Sequence, residues 1–352
     1  MAEPGYAKRR SCEADPSRLI SGPLRNRTEN PRMAVHYLEF ERPIADLESK
    51  IEELSKLSET ANPGAFDAEI EALRARTQEM RRETYAKLDA WQKTQVARHP
   101  DRPHFVDYAA GLIDEFQELR GDRKFADDQA IMGGLGRFRG RPVVVMGNEK
   151  GRDTVGRVKH NFGDARPEGY RKAIRLMEMA ERFHLPVISF VDTTAAYPGI
   201  ASEERGVAEA IARSTEKSLL LGVPMVAIVT GEGGSGGALG IACGSRVLIL
   251  EHAVYSVIPP EGANSILWRG ARTPAEAARA LKITAQDLLE MKIIDRIIPE
   301  PPGGAHSDPE AALKAVGDAV EEELKALEGL SPEDLRKQRA ERFYAIGRAG
   351  LQ

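Results

Sequence analysis

The residues of this chain with the clearest chemical potential lie between Val223 and Ser245, VPMVAIVTGEGGSGGALGIACGS. Gly231, Gly233, Gly234, Gly236 and Gly237 let a backbone turn sharply and approach a ligand closely, because no Cβ stands in the way. Ser235 sits among them. The small residues Ala238 to Ala242 then read as the opening of a helix, whose first N–H groups have no intrahelical acceptor. Three chemistries fit this stretch. Gly231-x-Gly233-x-x-Gly236 matches the dinucleotide-binding fingerprint, with Glu251 about twenty residues on to take a ribose hydroxyl. Gly233-Gly234-Ser235-Gly236-Gly237 satisfies the G-x-S-x-G nucleophile elbow of serine hydrolases, with Ser235 at its tip. The third uses backbone alone: the amides of Gly236 and Gly237 form an oxyanion hole, a seat for charge that develops during reaction.

The elements that must position these residues are legible around them. Val223 to Thr230 carries no charge and reads as a strand buried on both faces that ends at the glycines. Three further strands are expected at Val143–Gly147, Val187–Asp192 and Val247–Leu250. Pro142, Pro186 and Pro224 stand at strand entries, where a missing N–H costs least. Between the strands, Tyr170, Ala173, Ile174, Met177 and Ala180 form one helical stripe, and Val207, Ala210 and Ile211 another. Alternating strands and helices from about Phe105 predict an α/β domain with largely parallel strands.

Outside that domain the pattern changes. Residues 1–32 lack periodicity and read as a disordered extension, Met33 being a second possible start. Ile44, Leu47, Ile51 and Leu54 mark an amphipathic helix broken at Asn62-Pro63-Gly64. Phe66, Ile70, Leu73, Met80, Leu88 and Trp91 mark a second helix ending before His99-Pro100. The two make a helical hairpin within an arm, residues 33–104. Pro299 to Pro309 reads as a Pro/Gly-rich linker, and Leu313, Val316, Val320, Leu324 and Leu327 mark a helical tail, so residues 301–352 are linker and C-terminal helices.

Composition narrows the function classes. The net charge of −4 over 352 residues argues against a nucleic-acid binder working by bulk positive charge. Cys12 and Cys243, the two cysteines, can build neither a disulfide framework nor a zinc site, which suits a reducing cytoplasm; no metal site is expected on this chain. No run of eighteen apolar residues is present, so no membrane-spanning helix is expected.

Position in the series favours the backbone chemistry. A dinucleotide fingerprint belongs at the first strand-to-helix turn of its domain, whereas these glycines follow the third expected strand. A hydrolase needs an acid and then a histidine after Ser235, and only His252 and His306 come later. A second turn, Asp192-Thr193-Thr194-Ala195-Ala196-Tyr197-Pro198-Gly199, closes the neighbouring strand. Two adjacent strands ending in such turns can converge their amides on one reacting carbonyl. Glu261 and Gly262, directly after the fourth strand and Pro259-Pro260, are expected to line the same cleft together with Gly233, Gly234, Ser235, Ala195 and Ala196. The loop of Lys150, Arg152, Arg157, Lys159 and His160 is expected to be solvated, or to meet an acidic carrier or a phosphate.

Several short motifs, in order and spacing, resemble one family. They are Ala97-Arg98-His99-Pro100, Gly121-Asp122-Arg123, Asn161-Phe162-Gly163, Pro167-Glu168-Gly169-Tyr170-Arg171-Lys172, Gly231 to Leu239, Tyr255-Ser256-Val257-Ile258, Pro260-Glu261-Gly262 and Ile297-Ile298-Pro299-Glu300-Pro301. From about Met33 to about Arg348 the chain resembles the α subunit of the bacterial acetyl-CoA carboxylase carboxyltransferase, within the crotonase-like superfamily. The resemblance implies a ClpP/crotonase spiral of ββα units over residues 105–300, with helical additions at both ends. It also implies carboxyl transfer from carboxybiotin to acetyl-CoA, giving malonyl-CoA, the first committed step of fatty acid synthesis. It implies an α2β2 assembly in which the β subunit carries zinc and most of the acetyl-CoA site, served by biotin carboxyl carrier protein and biotin carboxylase. Gly236 and Gly237 would then stabilise the ureido oxygen of biotin. The family commonly has Pro-Gly where this chain has Thr194-Ala195, so an Ala195 amide can donate only if that turn needs no positive φ. The rivals are a free-standing enoyl-CoA hydratase or isomerase, which needs carboxylates in the cleft and acts as a single chain, and a serine hydrolase using Ser235.

Overall fold

The computed structural model describes residues 36–60 and 64–347. The expected 1–32 extension lies outside them, as do Asn62 and Pro63 of the helix break. Helices α1 (Arg42–Thr60) and α2 (Asp67–Tyr85) pack on each other as the expected hairpin, burying Ile44, Leu47 and Ile70. The second helix does not run on to Trp91, however. It stops at Tyr85, and a new helix α3 (Ala90–Ala97) begins after Asp89. The Asp89 carboxylate accepts from Gln92 N at 2.8 Å, while the Gln92 amide oxygen accepts from Asp89 N at 2.9 Å. That reciprocal cap fixes a new N-terminus inside what apolar spacing reads as one helix.

After α4 (Phe105–Leu112), the chain forms β1 (Ile113–Glu118), β2 (Ile131–Phe138) and β3 (Arg141–Asn148) as an antiparallel meander. Short α5 (Thr154–Lys159) and long α6 (Pro167–Arg182) follow and lead to β4 (Val187–Thr193); α7 (Ile200–Glu204) and α8 (Val207–Leu220) then lead to β5 (Met225–Gly234). Helix α9 (Ser235–Ala242) precedes β6 (Arg246–Leu250) and β7 (Val254–Ser256). Beyond these come α10 (Pro260–Trp268), α11 (Pro274–Leu281), α12 (Ala285–Glu290), β8 (Arg296–Ile298), α13 (Pro309–Ala326) and α14 (Pro332–Ala345). The four strands read from the sequence are β3, β4, β5 and β6. Strands β1, β2, β7 and β8 carry no comparable apolar run, being partly exposed or only three residues long.

The strands lie in the order β1-β2-β3-β4-β5-β6-β8, with β7 paired to the end of β5. From β3 onward every pairing is parallel. All residues of β4 and β5 are buried, as strands covered on both faces must be. Helix α6 packs against β2 and β3, and α9 against β4 and β5, so the apolar core sits between these helices and the sheet. The segment expected to be a linker is packed rather than free. The Glu300 side chain and Ala305 are fully buried there, and Gly303 and Gly304 take φ of +94° and +82° against Arg81, His306 and Val96. Among the described residues no helix is long and apolar enough to cross a membrane.

Candidate active site

The glycine stretch is built differently from the turn expected after Thr230. Strand β5 continues through it: Thr193 pairs with Gly233, and Glu232, Gly233 and Gly234 pair with Val254, Tyr255 and Ser256 of β7. Neighbours explain the missing side chains. A Cβ on Gly231 would overlap the Asp192 carboxylate, one on Gly233 would meet the Tyr255 ring, and one on Gly234 would overlap the Thr194 carbonyl. These glycines admit protein rather than phosphate, and Glu251 is already engaged, accepting from Glu300 N at 3.1 Å. The dinucleotide reading therefore has no site here.

The turn comes at Ser235, which adopts φ +52° as the first residue of α9. Its N-cap is Gly234, which has no side chain to offer, so the first-turn amides are left without a capping oxygen. Gly236 is partly exposed and a Cβ there would make ordinary contact with the Ile211 side chain. Gly237 is wedged against the second turn, where a Cβ would collide with the Ala195–Ala196 peptide, lying 2.8 Å from Ala196 N. The two strand ends thus meet through bare backbone.

That second turn is held by Asp164. One carboxylate oxygen accepts from Thr193 Oγ1 at 3.0 Å, Thr194 Oγ1 at 2.9 Å and Ala195 N at 3.2 Å. Ala195 takes no positive φ, so the replacement of Pro-Gly is tolerated conformationally. Its amide, expected as a possible donor to substrate, is instead committed to Asp164. Ala196 bridges to Ala165 and forms the surface on which Gly237 rests. Burial raises the Asp164 carboxyl above its ordinary pKa, although the three hydrogen bonds and Lys150 oppose the rise.

Beside these turns a cleft of about 200 Å³ opens where β3, β4 and β5 end, lined by Arg98, Lys150, Phe162, Asp192, Thr194 and Glu232 among others. Its charged groups form a chain. Lys150 Nζ lies 2.6 Å from Asp192 and 3.6 Å from Glu232; Arg98 Nε donates to Glu232 at 2.8 Å, and Arg98 Nη1 donates to Glu261 at 2.6 Å. Burial alone would depress the Lys150 ammonium, but Asp192 and Glu232 outweigh it and the pKa rises. Lys150 is therefore a paired cleft residue, not part of a solvated loop; Arg157 of that loop also lines the cleft. Glu261, in the first turn of α10, reaches this network through Arg98, while Gly262 packs against Ile258.

Sequence reasoning did not single out Arg98, Asp192 or Glu232. A signal was present for two of them: ligands of open parallel sheets bind beyond the carboxyl ends of the strands, and Asp192 and Glu232 stand there on β4 and β5. Arg98 lies in the Ala97-Arg98-His99-Pro100 motif, but nothing local shows that it meets Glu232, 134 positions away.

The histidines exclude the hydrolase. His252 packs edge-on to Tyr85 at 5.5 Å, and His306 stacks on His99 at 3.7 Å. Among the described residues, no hydrogen bond joins either one to Ser235. Glu41, His99 and His306 place possible metal-ligand atoms within 4.8 Å of one another. Both His99 nitrogens are already used, however, with His36 O and Asp101 N.

Strand order and the two turns that meet through bare backbone define an α/β domain built on a mixed, mostly parallel sheet, and comparison with solved structures agrees on that fold. The malonate decarboxylase hetero-tetramer of Pseudomonas, in complex with coenzyme A, superimposes with a TM-score of 0.52 at 17% identity, covering 65% of this chain and 92% of that one. Residues 37–347 match the family model described as acetyl co-enzyme A carboxylase carboxyltransferase-like, and the chain belongs to that family. The acetyl-coenzyme A carboxylase carboxyl transferase subunit alpha of Phenylobacterium zucineum is 82% identical over 320 residues, 91% of this chain and 100% of its own length. That of Caulobacter vibrioides is 74% identical over the same shares.

Proposed function

We propose that this chain is the α half of an acetyl-CoA carboxylase carboxyltransferase, with Gly236 and Gly237 forming its oxyanion hole. Family membership supports the reaction class, and the subunit name shared by the relatives supports a β partner. Carboxybiotin, brought in on its carrier protein, supplies the CO2 that acetyl-CoA accepts to become malonyl-CoA. The observation that carries the site assignment is the start of α9: a helix N-terminus with a glycine cap, no capping side chain and glycines at its second and third positions.

The amides of that first turn donate to the biotin ureido oxygen as negative charge develops on it, and the helix dipole favours the same sign. Because the donors are backbone, they need no change of protonation. Asp164 fixes the second turn against which Gly237 is seated, and so holds the position of the donors. Asp192 and Glu232, the carboxylates a hydratase would need, are both tied up by Lys150 or Arg98 and serve to shape the cleft.

To the same proposal belong an α2β2 core served by biotin carboxyl carrier protein and biotin carboxylase, zinc on the β subunit, and a cytoplasmic setting. Residues 105–300 are assigned the carboxyl-transfer domain, between an arm at 33–104 and the linker and helices of 301–352. The test is biotin-dependent decarboxylation of malonyl-CoA, the reverse half-reaction. Activity is expected from this chain co-purified with its β subunit and not from this chain alone. Biotin-independent turnover, or full activity of the single chain, would overturn the assignment.

A further inference from the structure

Asn161, Phe162 and Gly163 are three consecutive residues in left-handed backbone, with φ of +46°, +57° and +86°. Glycine adopts such angles freely and asparagine tolerates them, but a phenylalanine does so only under steric strain. The surroundings impose it. Gly163 N donates to His160 O at 2.9 Å and Asp164 N to Asn161 O at 3.0 Å, while Asn148 Nδ2 donates to Gly163 O at 3.2 Å. Arg166 Nη2 donates to Asn161 Oδ1 at 3.2 Å, and a Cβ on Gly163 would come within 2.9 Å of Asp192 O.

Such over-determination normally serves to aim a side chain. Here it delivers the Phe162 ring, 56% exposed, to the wall of the cleft. Among the described residues that line it, Phe162 is the one large apolar surface; the others are charged, polar or small. Two residues after Phe162, Asp164 clasps Thr193 to Ala195, and the Ala195–Ala196 peptide rests on Gly237. Ring and oxyanion amides are therefore mounted on one rigid bracket.

We propose that Phe162 is a specificity-determining contact for biotin, its face covering the planar ureido ring whose oxygen the Gly236 and Gly237 amides hold. The inference rests on the carboxyltransferase reading above. Of the two groups that must meet in such a site, biotin offers the planar face of its ureido ring to an aromatic side chain, whereas an acetyl group offers two carbons.

The experiment uses the complex of this chain with its β subunit, free biotin as the probe, and malonyl-CoA decarboxylation as the signal. Phe162→Ala and Phe162→Asn are compared with wild type; asparagine suits the left-handed backbone, so the second variant removes the ring while relieving the strain. The KM for biotin is expected to rise about five- to tenfold in both, the size of a lost stacking contact. The KM for malonyl-CoA and kcat at saturating biotin stay within twofold, and Phe162→Tyr restores the wild-type KM. An unchanged biotin KM overturns the inference, as does a rise in the malonyl-CoA KM instead. Loss of β-subunit co-purification also overturns it, because the ring is then a docking contact. A wild-type complex with no biotin dependence refutes the carboxyltransferase reading itself, before any variant is compared.

Discussion

Replacing Arg102 by Met tests whether the cleft floor depends on a buried ion pair. Arg102 donates to Glu300 through both terminal nitrogens, at 2.8 and 2.6 Å, and through Nε to Thr230 O at 2.6 Å. The two side chains are 1% and 0% exposed. Glu300 also accepts from His252 N at 3.0 Å and Ala305 N at 2.7 Å. Burial opposes the charge on Glu300, yet Arg102 overrides it and holds the carboxyl pKa down at about 2. Without Arg102 that carboxylate is buried unpaired, which costs about 3–5 kcal/mol. With an unfolding entropy of ~0.7 kcal/mol/K for a chain of this length, Tm should fall by about 4–7 °C. The double variant Arg102→Met/Glu300→Gln removes both charges and keeps an amide oxygen for one of the backbone donors, so it should regain at least half of the loss. Differential scanning calorimetry of the complex measures wild type and both variants. A single variant as stable as wild type, or a double variant no better than the single, would refute the reasoning.

Gly237→Ala should lower kcat for malonyl-CoA decarboxylation by about 100-fold, because its Cβ must push the α9 start off the Ala195–Ala196 peptide. Gly236→Ala, which meets only the Ile211 side chain, should lose less than about fivefold; equal losses would detach Gly237 from the chemistry. Ser235→Ala should keep kcat within about threefold, since no histidine partners its hydroxyl, and a loss on the scale of a missing nucleophile would revive the hydrolase. Burial, with His99 and Arg102 adding to it, lowers the His306 pKa from 6.5 to about 3. The unfolded chain thus takes up a proton that the folded chain refuses between those values, and stability falls as pH drops below 6.5. His306→Phe, assayed by urea unfolding from pH 6.5 to 5, should flatten that fall by up to ~1.4 kcal/mol per pH unit. Parallel curves for the two proteins would contradict it.

The sequence by itself determined the central strands and the glycine-rich helix start. Uncharged runs such as Met225 to Thr230 can be satisfied only by burial on both faces, and proline marks their entries. The order of family motifs, dense enough to name the carboxyltransferase, was legible for the same reason: each is a local string. Tertiary structure decided what those strings touch. It carried β5 through the glycines to Gly234, because the paired edge of β7 and the close approach of Asp192, Thr194 and Tyr255 outweigh the glycines' freedom to turn. It turned Ala195 from a possible donor to substrate into a donor to Asp164, 31 positions away. It packed the apparent linker around Glu300, whose partner Arg102 is 198 positions distant. Apolar period and turn chemistry act over a few residues and can be read along the chain. Ion pairs such as Arg98–Glu232 and Lys150–Asp192 depend on which strand ends the sheet order brings together, and no local pattern encodes that.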